Sequence, residues 1–407
     1  MGSIDIDFQF SDSWIPGHSP IECIDLHTSG QPARIVIRGF PPLHGTLLEQ
    51  RSQAREKHDH LRSRIILEPR GHAAMFGCIL RPHTELTATG EAHMGVLFMH
   101  NSGFSDMCGH CTFAVARCLV DMHDQDVFPQ RKCLSYEEAT QTVEIKLHTP
   151  TGIVKLVVPT LPGGLRSDAS KPVAFYSVPA FAAALDLRVP IPVANRWPEL
   201  GDREDVEIDI GYGGAWYGLV KCRDLGFSSG LRNPDLHALE RVNQLLEQSL
   251  SQFLDHEKNL FDSIPAGSEQ VQVRRIMITD EQIVQDVGMS QDHEAGLLFY
   301  ESQQIDRSPT GGCVVARVAV AYAKGQLRLH EGRFYNSLLS IAHKGEGAFL
   351  GTPVKEVSFI DSTGSLSAGV RVMVQGKAYY TGRSTFLVED GDPLSDGFAF
   401  QSAVMGG

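Results

Sequence analysis

Two short stretches decide how this chain is read. Met107-Cys108-Gly109-His110-Cys111-Thr112-Phe113-Ala114 can be laid over Pro309-Thr310-Gly311-Gly312-Cys313-Val314-Val315-Ala316. Cys108 then falls on Thr310, Gly109 on Gly311, Cys111 on Cys313 and Ala114 on Ala316. The two segments stand 202 residues apart, close to half of the 407-residue chain. In each, a polar residue and a glycine lead into an apolar, Ala-containing stretch with no helix breaker. A helix N-terminus carries unsatisfied N–H groups and a partial positive charge. Glycine there lets a ligand approach the backbone closely. Such a turn holds a carboxylate, and it lowers the pKa of a thiol placed on it. Two such turns face to face would grip one small carboxylate, with Cys108 on one side and Thr310 on the other. Two ordinary glycine-containing caps, alike by chance, have the same letters, and the echo alone does not separate the two readings.

Working outward, most of the chain consists of short alternating or apolar runs broken by Gly and Pro, which read as strands. They cover residues 33–37, 96–99, 154–158, 206–210, 271–278, 296–300 and 371–374. Helices are fewer: Thr112 to Met122, Val314 to Lys324, and a longer one over Asp235 to Phe253. The last places Leu236, Leu239, Val242, Leu245, Leu246 and Leu250 on one face. Many strands with a few isolated helices predict an α+β fold of strongly curved sheets. Pro159 to Ser170 and Pro190 to Asp205 are the Gly/Pro-rich, polar stretches expected to contain a crossing between domains.

Composition narrows the function classes. Lys plus Arg is 36 against 49 Asp plus Glu, a net charge of -13. That balance argues against nucleic acid and anionic membrane surfaces, which need a basic patch. A small anionic substrate needs only a few local donors. No stretch approaches the roughly 20 apolar residues of a membrane span, and Met1 to Phe10 is too acidic and polar for a signal peptide. A cytoplasmic protein is the expectation. The eight cysteines are scattered over a long chain, which fits free thiols and not a disulfide scaffold.

Six blocks in order carry a resemblance to the proline racemase family. They are Asp25-Leu26-His27-Thr28-Ser29-Gly30-Gln31-Pro32, Glu68-Pro69-Arg70-Gly71-His72, Met107-Cys108-Gly109-His110, Asp209-Ile210-Gly211-Tyr212-Gly213-Gly214, Asp306-Arg307-Ser308-Pro309-Thr310-Gly311 and Tyr380-Thr381-Gly382. The resemblance, from about Cys23 to Phe398, implies two similar α+β halves of curved sheet, each around a central helix, with the site in the cleft between them. The expected division is an irregular lead-in over 1–20, a first domain over 21–190 completed by 375–407, and a second over 191–374. It also implies a small cyclic amino acid as partner, no cofactor, and a homodimer.

Racemases of this family work with two thiols, one on each face of the substrate. The first falls on Cys108; the second position is Thr310, whose hydroxyl is far too weakly acidic to replace a thiol. A Thr there resembles the dehydratase branch, which acts on trans-3-hydroxy-L-proline. The implied reaction is a cofactor-free dehydration to 1-pyrroline-2-carboxylate, with Cys108 taking the Cα proton and Thr310 hydrogen-bonding the substrate or a water. His110 is expected to support the thiolate or to offer its backbone N–H, against the reading of a satisfied core histidine. Asp306 is expected to position a polar group, against that of a helix-cap residue. Arg307 is read as structural. Gly109, Gly311 and Gly312 are expected to supply backbone donors to the carboxylate.

Other chemistries are weaker. Cys108, His110 and Cys111 are spaced too tightly to serve comfortably as three metal ligands, and no second Cys/His pair is near in sequence, so no metal is expected. No dinucleotide or phosphate-loop fingerprint is present. Tyr212 and Trp216 read equally as pocket wall and as core. The chain departs from the family at Cys111 and Cys313, where Gly is usual, and at Ser29 and Gln31, which replace Gly and Glu. Side chains at 111 and 313 would narrow the pocket, repack the helix starts or form a redox-sensitive contact. Two alternatives therefore stand beside the dehydratase: an epimerase in which Cys313 or Cys111 is the second acid, and a binding protein that keeps the cleft without catalysis.

Overall fold

The computed structural model describes residues 20–257, 261, 264–265, 273–286, 288–290, 292–300, 303–389 and 391–400. The lead-in over 1–19 and the first two residues of the strand expected at 271–278 lie outside them.

The internal echo extends to the whole sheet. In the first half, Ile21–Thr28 and Gln31–Arg38 form an antiparallel hairpin, and Gln31–Arg38 runs parallel to Phe76–Arg81. Phe76–Arg81 pairs antiparallel with Met94–His100, which is parallel to Thr142–Thr149. Gly152–Pro159 and Val173–Tyr176 then follow antiparallel. The second half repeats this order. Asp205–Tyr212 and Trp216–Lys221 form the hairpin, followed by Ile276–Asp280 (parallel), His293–Tyr300 (antiparallel), Arg333–Asn336 (parallel), and Phe349–Ile360 and Leu366–Gly376 (antiparallel). Val173–Tyr176 pairs with its counterpart Leu366–Gly376, so the two curved sheets are stitched together through equivalent strands.

Each half wraps one helix, Gly109–Asp121 or Gly311–Ala323. Both are buried on every side, from Gly109 to Val120 and from Gly311 to Ala321. That explains their all-round apolar composition, which a surface helix would not tolerate. The amphipathic helix expected near 235–253 forms over Leu236–His256 and lays Leu239, Val242, Leu246 and Leu250 on the second core. No helix among the described residues is long and apolar enough to cross a membrane.

The halves also exchange strands. Phe181–Pro190 pairs with Asp205–Tyr212 of the second half, and Ala378–Phe386 pairs with Ile21–Thr28 of the first. Residues 181–190 therefore belong to the second sheet, and the chain crosses between Tyr176 and Phe181. The Pro190 to Asp205 stretch holds two short 3-10 turns within the second half. Pro159 to Ser170 is a loop inside the first. In both stretches Pro ends a strand and opens a turn, which is its local effect; domain crossing is set by which sheet pairs with the next strand. Phe181, Ala183 and Val189 bury their side chains in the second core, and that burial fixes the partner.

Candidate active site

The two central helices meet end to end. A Cβ on Gly109 would lie 2.6 Å from Gly311 Cα, and a Cβ on Gly311 would lie 2.9 Å from Gly109 Cα. No side chain fits there, so these glycines let two helix N-termini touch. Each helix starts on a bond to its cap carbonyl, Thr112 N–H to Cys108 O and Val314 N–H to Thr310 O. The N–H groups before Thr112 and Val314 are left without helical acceptors. A cavity of about 50 Å3 lies at this junction, lined by Cys108, Gly109, His110, Asp306, Thr310, Gly311 and Gly312. All seven residues expected at the site thus line one space. Phe76, His100, Ser105, Met107, Tyr217, Arg275, Leu298 and Tyr300 complete it.

On the first side, Cys108 caps its helix in extended conformation. Its sulfur makes no capping hydrogen bond of ordinary geometry, and lies 3.5 Å from His110 Nδ1 and 3.6 Å from Nε2. Burial opposes ionisation of this thiol. The Cys111 thiol, the charge and ring of His110, and the Cys111 amide outweigh it and hold Cys108 at about 5. The same coupling runs the other way at the neighbours. Burial favours neutral His110, but the Cys108 sulfur, Asp306 and the Pro32 backbone raise it. Burial and the adjacent Cys108 push Cys111 well above the usual thiol range. The arrangement favours ionisation of Cys108, raises His110 toward its charged form and holds Cys111 as a thiol. His110 is held in place: Thr28 Oγ1 donates to its carbonyl at 3.0 Å, and Phe76 meets its ring edge-on at 4.7 Å.

On the second side, Thr310 caps its helix at φ 62° and ψ 85°. A β-branched residue in this left-handed region is a backbone outlier, of the kind that clusters at functional sites. Its hydroxyl donates to Asp306 Oδ2 at 2.8 Å. Asp306 Oδ1 accepts from both the Ser308 N–H and hydroxyl at 2.8 Å. Gln31, one of the family departures, bridges the halves by accepting the Arg307 N–H at 2.9 Å and donating to Ala74 O at 3.0 Å. Arg307 makes its contacts through its backbone, its carbonyl taking the Ser337 hydroxyl at 2.6 Å.

The two cysteines that replace glycine are not equivalent. Cys111 reaches Cys108, whereas Cys313 is fully buried with Tyr217, Leu219 and Met277, and burial pushes it up to about 12. Neither lines the cavity. The ligand atoms of Cys108, His110 and Cys111 come within 4.8 Å of one another despite their tight spacing. Cys108 Sγ lies nearly equally far from both ring nitrogens, so neither nitrogen lone pair is singled out toward a shared point.

Tyr212 and Trp216 pack with Phe181 in the second core, their rings at 5.2 and 5.8 Å from it. They do not line the cavity. Gly211 and Gly213 lie instead against the second central helix: a Cβ on Gly211 would be 3.1 Å from Ala316 O, and one on Gly213 2.2 Å from Gly312 O. Tyr217, one residue on, faces the opposite side of its strand and does line the site; strand alternation was the signal for it. Arg275 is a cation on the cavity wall that no motif marked.

Two curved sheets, each around one central helix whose start meets the other's, define a two-half α+β fold with a cavity at the junction. The family profile described as proline racemase matches residues 23–399, and the chain belongs to that family. It is 35% identical over 386 residues to trans-3-hydroxy-L-proline dehydratase of Homo sapiens, spanning 94% of this chain and 95% of that one. Proline racemase A of Trypanosoma cruzi is 29% identical, over 93% and 82% of the two chains. Among solved structures, a hydroxyproline epimerase from Agrobacterium vitis with bound trans-4-hydroxy-L-proline superposes with a TM-score of 0.70. It is 19% identical and covers 94% of this chain and 96% of that one; the likeness concerns the fold.

Proposed function

We propose that this protein dehydrates a 3-hydroxylated cyclic imino acid, with trans-3-hydroxy-L-proline as the parent substrate. The observation that carries the reading is an asymmetry at the junction: a low-pKa thiol on one helix start and an alcohol bound to a carboxylate on the other.

The substrate carboxylate sits between the helix starts, where the N–H groups of Gly109, His110, Gly311 and Gly312 converge. In trans-3-hydroxy-L-proline the Cα hydrogen and the ring hydroxyl share a face. The Cys108 thiolate removes that hydrogen as a proton. The electron pair forms the Cα–Cβ double bond and expels the hydroxyl group. The new thiol returns its proton to the departing oxygen, so water leaves and the thiolate is restored. The enamine then tautomerises to 1-pyrroline-2-carboxylate. His110 keeps the sulfur ionised between turnovers. Thr310, oriented by Asp306, hydrogen-bonds the opposite face and moves no proton from carbon. The human relative, a dehydratase over nearly the full length, supports this over an epimerase. So does the position of Cys111 and Cys313, neither of which lines the cavity to supply a second acid.

Purified protein incubated with trans-3-hydroxy-L-proline is expected to form the cyclic imine, and Cys108→Ala is expected to form none. Absence of imine from the wild type, or unchanged turnover in Cys108→Ala, rejects the proposal.

A further inference from the structure

Cys108-Gly109-His110-Cys111 does more than carry a base. The first cysteine is the cap of a buried helix and the second stands at its third position. This is the register in which a cap side chain leans over the first turn. Their sulfurs lie within 4.8 Å of each other. Cys108 lines the cavity, whereas Cys111 lies behind it, fully buried, its sulfur 3.9 Å from Gly77 O. One cavity-lining sulfur backed by one sheltered thiol is the layout of an attacking and a resolving cysteine. The second half has no such pair, because Thr310 stands at the matching cap.

We infer that Cys108 and Cys111 are a reversible oxidation site at which a small hydroperoxide closes an intramolecular disulfide. The modification stands on the two thiols alone, whatever the substrate of the cleft. The Cys108 thiolate attacks one peroxide oxygen: an S–O bond forms, the O–O bond breaks and hydroxide leaves, giving the sulfenic acid. Cys111 sulfur then attacks Cys108 sulfur. The S–S bond forms, the S–O bond breaks, and the hydroxyl departs with the Cys111 proton as water. Two thiol sulfurs have lost two electrons, and one peroxide has gained them. The narrow cavity favours hydrogen peroxide over bulky disulfides. The product ties up the thiolate and blocks proton abstraction. Reduction by a dithiol restores it. Without Cys111, the sulfenic acid would lie open to further oxidation, which is irreversible.

The test is to titrate the full-length wild type with hydrogen peroxide, trap free thiols with iodoacetamide and weigh the peptide carrying residues 108 and 111. Exposed Cys133 is the internal control for oxidant delivery. The expected peptide carries no alkyl group on either cysteine and is two mass units lighter than its reduced, unalkylated form at these positions. Dithiothreitol restores both alkylation sites. In Cys111→Ser, Cys108 is expected to carry added oxygen and not to recover. Dehydration by the wild type is expected to fall and return in step with the disulfide, by at least about tenfold. Both thiols remaining alkylatable once Cys133 is fully oxidised overturns the inference, and so does a disulfide from Cys108 to any other cysteine. These mass readouts hold even if the cleft takes another substrate, so the two proposals fail separately.

Discussion

The two helix starts share one backbone plan and carry opposite chemistry. At the first, Cys108 is flanked by an imidazole and a second thiol, all three buried, and the sulfur is driven toward the anion. At the second, Thr310 is held in a left-handed conformation with its hydroxyl bound to Asp306, while Cys313 turns into the core. The glycines between them are interchangeable in role: each leaves room for the other helix. On the proposed reading, the two starts share what would grip a carboxylate and differ in what would take the proton. A symmetric cradle with one reactive wall suits a reaction in which proton and leaving group depart from the same face.

The largest expected effect breaks the reactive wall. Cys108→Ser should lower kcat/KM for dehydration by about 10²–10⁴-fold, the usual contribution of a positioned base. Circular dichroism should remain that of the wild type. A change at the shared cradle should act on both walls at once. Gly311→Ala drives a methyl group against Gly109 Cα and should destabilise the fold by about 1–3 kcal/mol, read as a lower Tm, with raised KM.

Finer tests concern the ionisation that separates the walls. With Cys108 at about 5, activity should be flat at neutral pH and fall as pH drops through about 5, because the thiol must lose its proton to act. Removing a donor from the thiolate in Cys111→Ala should move that limb to higher pH, cutting kcat/KM several-fold at pH 6 and little at pH 9. A limb that does not move would separate Cys111 from the ionisation. The smallest effect belongs to the aromatic cluster behind the second wall. Trp216→Phe should change KM less than about twofold, as expected of core packing away from the site, with its cost appearing in Tm alone.

Much of this contrast is legible in the sequence. The echo of Cys108-Gly109 with Thr310-Gly311 depends only on local chemistry: small residues where backbones meet, and a cap position before an apolar run. Strand periodicity marks seven of the nineteen strands among the described residues. What escapes is set by partners distant in the chain. Phe181–Pro190 is not among the strands that periodicity marks and falls within the expected first domain; the burial of Phe181 and Val189 in the second core assigns it to the second sheet. Tyr212 and Trp216 read equally as pocket wall and as core; their rings pack on each other and on Phe181, and the cavity lies elsewhere. Cys111 and Cys313 occupy equivalent letters but not equivalent surroundings: Cys111 lies beside Cys108 and His110, Cys313 among Tyr217, Leu219 and Met277. Arg275 reaches the cavity from a segment with no motif at all.

The central claim is that one wall takes the proton and the other cannot. The most direct measurement is a reaction in deuterated water of wild type and Thr310→Cys, each with trans-3-hydroxy-L-proline and with L-proline. The wild type should form the cyclic imine from the hydroxylated substrate and no D-proline, whereas Thr310→Cys should begin to yield Cα-deuterated D-proline. Inversion of L-proline by the wild type, at a rate matching its turnover of the hydroxylated substrate, would contradict the account.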